Sequence, residues 1–317
     1  MISPPLTVLQ VLKRTTDYFA QKGIPTPRLD AEVLLAHLLG VERIRLYVEF
    51  DRPLAPQELD GYRELVARRA RRAPVAYLTG RKEFMGLDLA VTPEVLIPRP
   101  ETELLVERAL AWCRSEVQQK QQMQQPGGDS PGSSSDSSSA GSSALRLADI
   151  GTGSGAIAVV LAKNLPESIV YATDISGAAL AVASANAEKH GVQSRIKFLA
   201  GDLARPLFGE GLEGRLDLLA SNPPYVAQRV AGELTPEVAR HEPQTAIFGG
   251  EDGLKFYPPL VEQAGKLLRP GGLLALEIGH DQASAVGGFI AATGKFEAPM
   301  AIKDYAGHDR VVLARKI

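Results

Sequence analysis

The sequence contains a single cysteine, Cys113, so it can form neither an internal disulfide framework nor a cysteine-rich metal site. Its five histidines are scattered, and none lies at a spacing typical of metal ligands. No run of about 18 apolar residues occurs, which argues against a membrane-spanning helix. The first residues also lack the apolar segment of a signal peptide. We therefore expect a soluble cytoplasmic protein that binds no metal.

An excess of charge of one sign is also missing, because the formal net charge is −2. That balance argues against bulk electrostatic binding to nucleic acid and leaves a local basic patch open. Hydrophobic residues make up 44% and charged residues 23%, as is usual for a globular protein, and 317 residues are enough for two domains. We expect a monomer that binds neither nucleic acid nor membranes directly.

The pattern of apolar residues divides the chain into a helical, a hairpin and an α/β region. Residues 1–80 contain stretches with apolar residues at three- and four-residue steps, which predict a small helical domain. Residues 81–100 alternate apolar and polar side chains and predict a β-hairpin linker centred near residues 92–94. Residues 101–317 predict an α/β domain that begins with a helix.

Two polar segments stand out from this pattern. The basic run Arg68 to Arg72 has two interpretations: charge that complements a helix C-terminus, or a patch that binds a partner. A Gln-, Gly- and Ser-rich segment interrupts the α/β domain at about 118–144. It has almost no apolar side chains to bury, so we expect it to be disordered.

From Leu145 onward, predicted strands and helices alternate, which indicates a mostly parallel, Rossmann-like sheet with helices on both faces. The last two predicted strands can close this sheet as an antiparallel pair. The predicted strands are LRLADI, SIVYATDI, RIKFLAGD, LDLLASN, GLLALEIG, APMAIKDY and DRVVLARK.

Candidate binding residues follow the first three parallel strands, at the edge where such sheets bind ligands. A glycine-rich turn follows the first strand, and it allows close approach of the backbone to a ligand. Asp174 ends the second strand, about 20 residues after the glycines, a spacing that suits hydrogen bonds to ribose hydroxyls. Asp202 and Leu203 follow the third strand. The turn consists of Gly151, Thr152, Gly153, Ser154 and Gly155, and its pattern also allows a nicotinamide or flavin dinucleotide.

The fourth strand ends in an unusual polar and rigid sequence, Asn222-Pro223-Pro224-Tyr225. Proline fixes φ, removes the N–H donor and keeps the preceding residue extended. The segment therefore presents carbonyl acceptors, a side-chain amide and a flat aromatic ring. These groups suit a planar amide or amino nitrogen whose lone pair is turned towards an electrophile such as a methyl sulfonium. Catalysis would depend on positioning and on carbonyl dipoles.

DIGTGSGAIAVVLA and SNPPY together resemble class I S-adenosylmethionine-dependent methyltransferases that act on planar nitrogen. Four further stretches are similar to one family of that class, the release factor glutamine methyltransferases, or PrmC/HemK family. They are AYLTGRKEFMG, VLIPRPETELLVERAL, HEPQTAIFGGEDGLKFY and DYAGHDRVVLAR. The resemblance covers nearly the whole chain. It implies a class I methyltransferase domain with a seven-stranded sheet behind a helical docking domain.

The resemblance also implies a reaction and a set of roles. S-adenosyl-L-methionine would donate a methyl group to the glutamine side chain in the Gly-Gly-Gln motif of class I peptide chain release factors. Residues 151–155 would bind its methionine end, Asp174 its ribose, and Asp202 and Leu203 its adenine. Asn222 would contact cofactor and substrate, and Pro223, Pro224 and Tyr225 would hold the glutamine amide. Arg99, Glu101 and Thr102 would lie beside the cofactor pocket.

Two alternatives remain open at this stage. An adenine-N6 methyltransferase acting on nucleic acid shares the Asn-Pro-Pro-Tyr sequence but would need a basic groove and a recognition domain. A non-catalytic binding module with this fold would not need both the glycine turn and the amide-binding segment. The family pattern differs from this chain in two places: it lacks the Gln/Ser-rich segment, and it often has an aromatic residue where this chain has Met85.

Deleting Gln121 to Ser142 is expected to leave methyl transfer and the melting temperature close to those of the full-length chain. The segment has too few apolar residues to join a core, and closure entropy changes slowly with loop length. Thermal unfolding and activity assays of the deletion variant test this. A large drop in release-factor methylation with retained cofactor binding would instead place the segment on the docking surface.

Overall fold

The computed structural model describes residues 6–124 and 144–317. These residues form two compact units. The first contains residues 6–82 together with Val91–Pro93 and Glu233–Glu242. The second contains Glu83–Ala90 and the described residues of the ranges Glu94–Gly232 and Pro243–Ile317.

Helices and strands occupy most of both units. The helices are α1 Val8–Gln21, α2 Pro27–Leu39, α3 Arg45–Val48, α4 Pro56–Ala70, α5 Val75–Thr79, α6 Pro100–Gln124, α7 Ala156–Asn164, α8 Gly177–Lys189, α9 Pro206–Gly209, α10 Pro236–His241, α11 Gln244–Ile247, α12 Tyr257–Leu267 and α13 Ala283–Ala292. The strands are β1 Arg81–Phe84, β2 Leu87–Ala90, β3 Leu145–Ile150, β4 Ser168–Asp174, β5 Ile196–Ala200, β6 Leu216–Ser221, β7 Leu268–Glu277, β8 Met300–Lys303 and β9 Asp309–Arg315. Within the described ranges, no helix is both long enough and apolar enough to cross a membrane.

The first unit is a helical bundle with its own apolar core. The buried faces of α1, α2 and α4 supply Phe19, Leu34 and Tyr62, all almost fully buried. The Tyr62 hydroxyl donates to the Ala31 carbonyl at 2.9 Å. The buried Tyr62 hydroxyl is therefore hydrogen-bonded, and this bond adds to the apolar contacts that stabilise the core.

An internal ion cluster explains half of the basic run in the first unit. Arg69 is buried and donates to Asp30 at 2.7 Å and to Glu237 at 2.8 Å. Arg72 donates to the same Glu237 carboxylate at 3.3 Å. The flanking Arg68 remains exposed. The run is thus partly an internal network, which neither sequence interpretation anticipated.

The second unit contains a seven-stranded sheet with the order β5-β4-β3-β6-β7-β9-β8. The five strands β3 to β7 are parallel to one another, and β8 and β9 close the sheet as an antiparallel pair. This arrangement confirms the predicted fold class and all the predicted strands of the sheet. The central strand β6 is buried along its whole length, as expected for a parallel strand covered on both faces. Helices α6, α7 and α8 cover one face, and α12 and α13 cover the other.

The hairpin formed by β1 and β2 has its turn at a place that we did not predict. Met85 and Gly86 occupy the turn, with φ of 51° and 76°. Two-residue hairpin turns of this kind need positive φ at both positions, which Asn-Gly usually signals. Met-Gly lacks that signal, so the prediction of a hairpin centred near residues 92–94 is wrong. Met85 packs on the core of the second unit, and its N–H donates to Glu103 at 3.1 Å.

Helix α6 continues through Gln124. It therefore includes the first residues of the segment for which we predicted disorder, because Gln and Lys extend a helix readily. The rest of that prediction concerns residues 125–143, which lie outside the described residues.

Candidate active site

The glycine turn and Asp174 meet at the carboxyl ends of β3 and β4. The N–H of Gly153 donates to Asp174 Oδ2, and the N–H of Ser176 donates to Asp174 Oδ1, both at 2.9 Å. Gly151, Gly153 and Gly155 all have positive φ, which glycine adopts readily, and the chain therefore turns tightly at the end of β3. Asp174 is half-buried beside the turn.

Asp149 underlies the same turn, although the sequence analysis gave it no role. Its Oδ2 accepts from the Thr152 hydroxyl at 2.6 Å and from the Ala158 N–H at 3.1 Å. No described residue donates to its buried Oδ1. Complete burial raises the pKa of Asp149 to about 7. Its position two residues before the Gly-x-Gly sequence is the signal that could have identified it.

Asp202 and Leu203 lie beyond β5, next to the end of β4. Leu203 has φ of 51°, and its carbonyl accepts from the Thr173 hydroxyl at 2.8 Å. Asp202 forms an ion pair with Arg205 at 3.4 Å. The side chain of Ile175, which follows Asp174, is 73% exposed. This apolar group beside the strand ends was not among the predicted residues.

The segment Asn222–Tyr225 follows β6, which neighbours β3. Ser221 pairs with Ile150, and its hydroxyl donates to the Ile150 carbonyl at 2.7 Å. The glycine turn and Asn222 therefore follow directly from paired residues on adjacent strands. Asp202 lies at the end of β5, three strands away from β6 in the sheet order.

Asn222 and Tyr225 are both held by side chains from other elements of the second unit. The Asn222 Nδ2 donates to the Thr102 hydroxyl at 3.0 Å. The Tyr225 hydroxyl donates to Glu277 Oε1 at 3.3 Å. Thr102 lies in the first turn of α6, and Glu277 is the last residue of β7. Burial raises the pKa of Tyr225, so this residue stays a neutral donor at neutral pH.

A loop after α11 supports the backbone of the same segment. A Cβ at Gly249 would lie 2.4 Å from the Pro224 carbonyl oxygen, and one at Gly253 would lie 2.3 Å from that of Tyr225. Only glycine allows such close approach. Gln282 also donates to the Tyr225 carbonyl at 3.0 Å. Close backbone contacts therefore explain why glycine occupies positions 249 and 253 of the FGGEDG stretch, which the sequence alone did not reveal.

Glu277 is a fully buried carboxyl group beneath this segment. Its Oε1 accepts from the Tyr225 hydroxyl. No described residue hydrogen-bonds to its Oε2. Burial raises its pKa to about 7, an effect opposed by Thr102, Arg310 and Tyr225. Sequence reasoning missed Glu277 because a single acid at the end of an apolar strand carries no motif.

Known proteins match both parts of the chain. The PrmC N-terminal domain model matches residues 10–80, and the Methyltransferase small domain model matches residues 139–244. A release factor glutamine methyltransferase of Geobacter sulfurreducens is 42% identical over 309 residues, covering 98% of this chain and 96% of that protein. The chain belongs to the release factor glutamine methyltransferase family. The family enzyme of Moorella thermoacetica is also 42% identical, with 98% of both chains covered.

A solved structure supports the methyltransferase fold. The hMettl16 catalytic domain in complex with a MAT2A 3'UTR hairpin matches with a TM-score of 0.52 at 19% identity, covering 80% of each chain. At that identity the similarity indicates a shared methyltransferase fold and nothing about the substrate. Membership of the release factor glutamine methyltransferase family rests on the sequence relatives.

Proposed function

We propose that this protein transfers a methyl group from S-adenosyl-L-methionine to the side-chain amide nitrogen of the glutamine in the Gly-Gly-Gln motif of class I peptide chain release factors. The observation that carries the proposal is Asn222–Tyr225, held rigidly beside a glycine turn in a chain 42% identical to family members. The substrate would be a protein, with no direct role for nucleic acid.

The residues present fit the proposed cofactor. The buried Asp149 Oδ1, which lacks a described partner, leaves an acceptor beneath the glycine turn for a polar group of the ligand. Asp174 is half-buried beside the glycine turn, and its carboxylate would accept from ribose hydroxyls. Ile175, Asp202 and Leu203 offer apolar and acceptor groups for adenine and its amino group. When bound, S-adenosylmethionine supplies an electrophilic methyl group on a sulfonium.

The Asn222 segment would hold the glutamine amide by its two N–H groups. Asn222 Nδ2 already donates to Thr102, so its Oδ1 is the atom that can accept from the substrate. A backbone carbonyl of Pro223 supplies the second acceptor, and the Tyr225 ring supplies a flat surface for the amide plane. Both acceptors stabilise positive charge that develops on the nitrogen. The proton can leave to water after transfer, so no strong base is needed beforehand.

Residues 1–80 would form the surface that docks the release factor, with 81–100 as a linker and 101–317 as the methyltransferase domain. The helical unit has apolar side chains at its surface that suit a protein partner: Ile44, Tyr47, Val48 and Phe50 are each more than half exposed. We propose that the protein acts on its substrate as a monomer.

The substrate class is tested by supplying labelled S-adenosylmethionine with purified release factor, duplex DNA or structured RNA. The proposal expects label in the release factor alone. A matched control is release factor whose Gly-Gly-Gln glutamine is replaced by alanine, which should accept no label. Labelling of adenine in either nucleic acid, with none in protein, would favour the adenine-N6 alternative. Cofactor binding without transfer to any of them would favour a binding module.

A further inference from the structure

The carboxyl edge of the sheet extends beyond Asn222–Tyr225 on the side opposite the glycine turn. In the strand order β5-β4-β3-β6-β7-β9-β8, the candidate cofactor residues follow β3, β4 and β5, and Asn222 follows β6. Next along this edge come the end of β7 and the loop 304–308, which joins β8 to β9. Strand β9 runs antiparallel to β7 and pairs Val311 with Glu277, which brings the loop to the same edge. The proposed cofactor residues therefore leave this side of the edge to the substrate.

The loop between β8 and β9 is held in place by its own polar groups. Asp304 Oδ1 accepts from the N–H of His308 at 3.0 Å, and Asp304 Oδ2 accepts from Arg310 at 3.3 Å. Arg310 also donates to the carbonyl of Ile278, directly after β7, at 3.2 Å. These bonds fix the loop onto the end of β7. A loop that is ordered before binding loses less conformational freedom when a partner binds.

The same loop presents aromatic rings to solvent. Tyr305 takes no part in the bonds that hold the loop, and it is 96% exposed. The exposed ring of His308 contacts the exposed ring of His280, beyond the end of β7, with centroids 5.8 Å apart. The loop and the end of β7 therefore form one aromatic surface. A single exposed aromatic side chain is common on proteins, so the location of Tyr305 at the active-site edge is what points to binding.

The charged side chains of this loop and its flanks pair with one another. Arg310 forms an ion pair with Asp304 at 3.3 Å, and Lys303 forms one with Asp309 at 2.9 Å. The tip of the loop therefore offers an aromatic ring without an excess of positive charge. Such a surface suits an uncharged, glycine-rich peptide, whose bare backbone can lie flat against a ring, better than the phosphates of a nucleic acid.

We propose that the loop 304–308 binds the release factor beside its Gly-Gly-Gln motif, with the Tyr305 ring packed against the polypeptide. The inference rests on the proposed function, in which Asn222–Tyr225 hold the glutamine amide. Adjacent strands lie about 4.8 Å apart, so β9 is about 10 Å from β6 along the edge. An extended peptide spans about 3.3 Å per residue, which puts the contact about three residues from the glutamine.

The test compares Tyr305→Ala with Tyr305→Phe, which keeps the ring. We expect Tyr305→Ala to raise KM for the release factor about tenfold, as loss of an aromatic anchor does. Its kcat and its Kd for S-adenosylhomocysteine should stay near those of the wild type, because the ring contacts the substrate equally before and during the reaction. Tyr305→Phe should keep the wild-type KM.

Met300→Ala is the matched control, because Met300 is another exposed apolar side chain, at the other end of β8. Its KM should not change, and thermal unfolding shows whether each variant folds. An unchanged KM in Tyr305→Ala, or an equal rise in Met300→Ala, would overturn the inference.

A cross-linking readout does not depend on methyl transfer. Tyr305 and, as the control, Met300 are each replaced by the photoreactive p-benzoylphenylalanine, and each variant is irradiated with release factor and S-adenosylhomocysteine. Mass spectrometry should locate a cross-link from position 305, and none from position 300, in the peptide that contains Gly-Gly-Gln. A cross-link only to another part of the release factor, or to a second copy of this chain, would contradict the proposed contact.

These two readouts separate the loop contact from the proposed function. Methylation of the release factor by the wild type, without the cross-link and without the change in KM, refutes the loop contact alone. A cross-link at the motif in an enzyme that methylates no release factor refutes the proposed reaction and leaves the loop contact standing. The absence of both methylation and cross-link refutes both.

Discussion

Replacing Asn222 with alanine is expected to lower kcat for methyl transfer by about 100-fold or more. The loss of one positioned acceptor in a site shielded from water typically costs that much. The structure places Asn222 Oδ1 as the free end of an amide whose Nδ2 is held by Thr102 at 3.0 Å. Steady-state kinetics with purified release factor measure the effect, and thermal unfolding checks that the variant is folded.

Asn164→Ala is the matched control for this variant, because Asn164 is an exposed residue at the end of α7. Its rate should equal that of the wild type. An Asn222→Ala enzyme with unchanged kcat/KM would remove Asn222 from the reaction and leave the backbone carbonyls as the only acceptors.

Replacing Asp174 with alanine is expected to weaken cofactor binding more than it slows the chemistry. Hydrogen bonds to a charged group contribute about 1.5–3 kcal/mol, so the Kd should rise about 10- to 150-fold. Asp174 also accepts from the N–H groups of Gly153 and Ser176, and its loss should therefore loosen the glycine turn. Calorimetric titration with S-adenosylhomocysteine measures the affinity.

Asp88→Ala serves as the control for Asp174→Ala, since Asp88 forms a surface ion pair with Lys189 away from the strand ends. Its cofactor affinity should not change. If Asp174→Ala kept the wild-type Kd and lost only its maximal rate, Asp174 would act in the chemical step and the ribose assignment would be wrong.

The sequence predicted the sheet well, because long apolar runs at regular spacing leave few alternatives for a parallel fold. Because the strands were predicted to be parallel, the sequence also placed Asp174, Asp202 and Asn222 at one edge of the sheet, where the structure has them. The glycine turn and Asn222 lie close together, because the residues directly before them, Ile150 and Ser221, pair on adjacent strands.

Features that depend on tertiary contacts were not predictable from single residues. The hairpin turn at Met85-Gly86 lacks the usual turn residues, and only its positive φ values reveal it. Glu277 and Gln282 lie far from Tyr225 in sequence, yet both hydrogen-bond to it. In the sequence, Arg69 is one residue of a basic run. In the structure it is buried and forms an ion pair with Asp30.

The most direct test of the account is to locate the methyl group after the reaction. Wild-type enzyme, S-adenosylmethionine and an unmethylated class I release factor are incubated, and the peptide containing Gly-Gly-Gln is fragmented by mass spectrometry. The account predicts one added methyl group on the glutamine side chain of that motif and none when Asn222→Ala replaces the wild type for the same time. A methyl group on another residue would contradict it. So would an unmodified motif after prolonged incubation with excess S-adenosylmethionine.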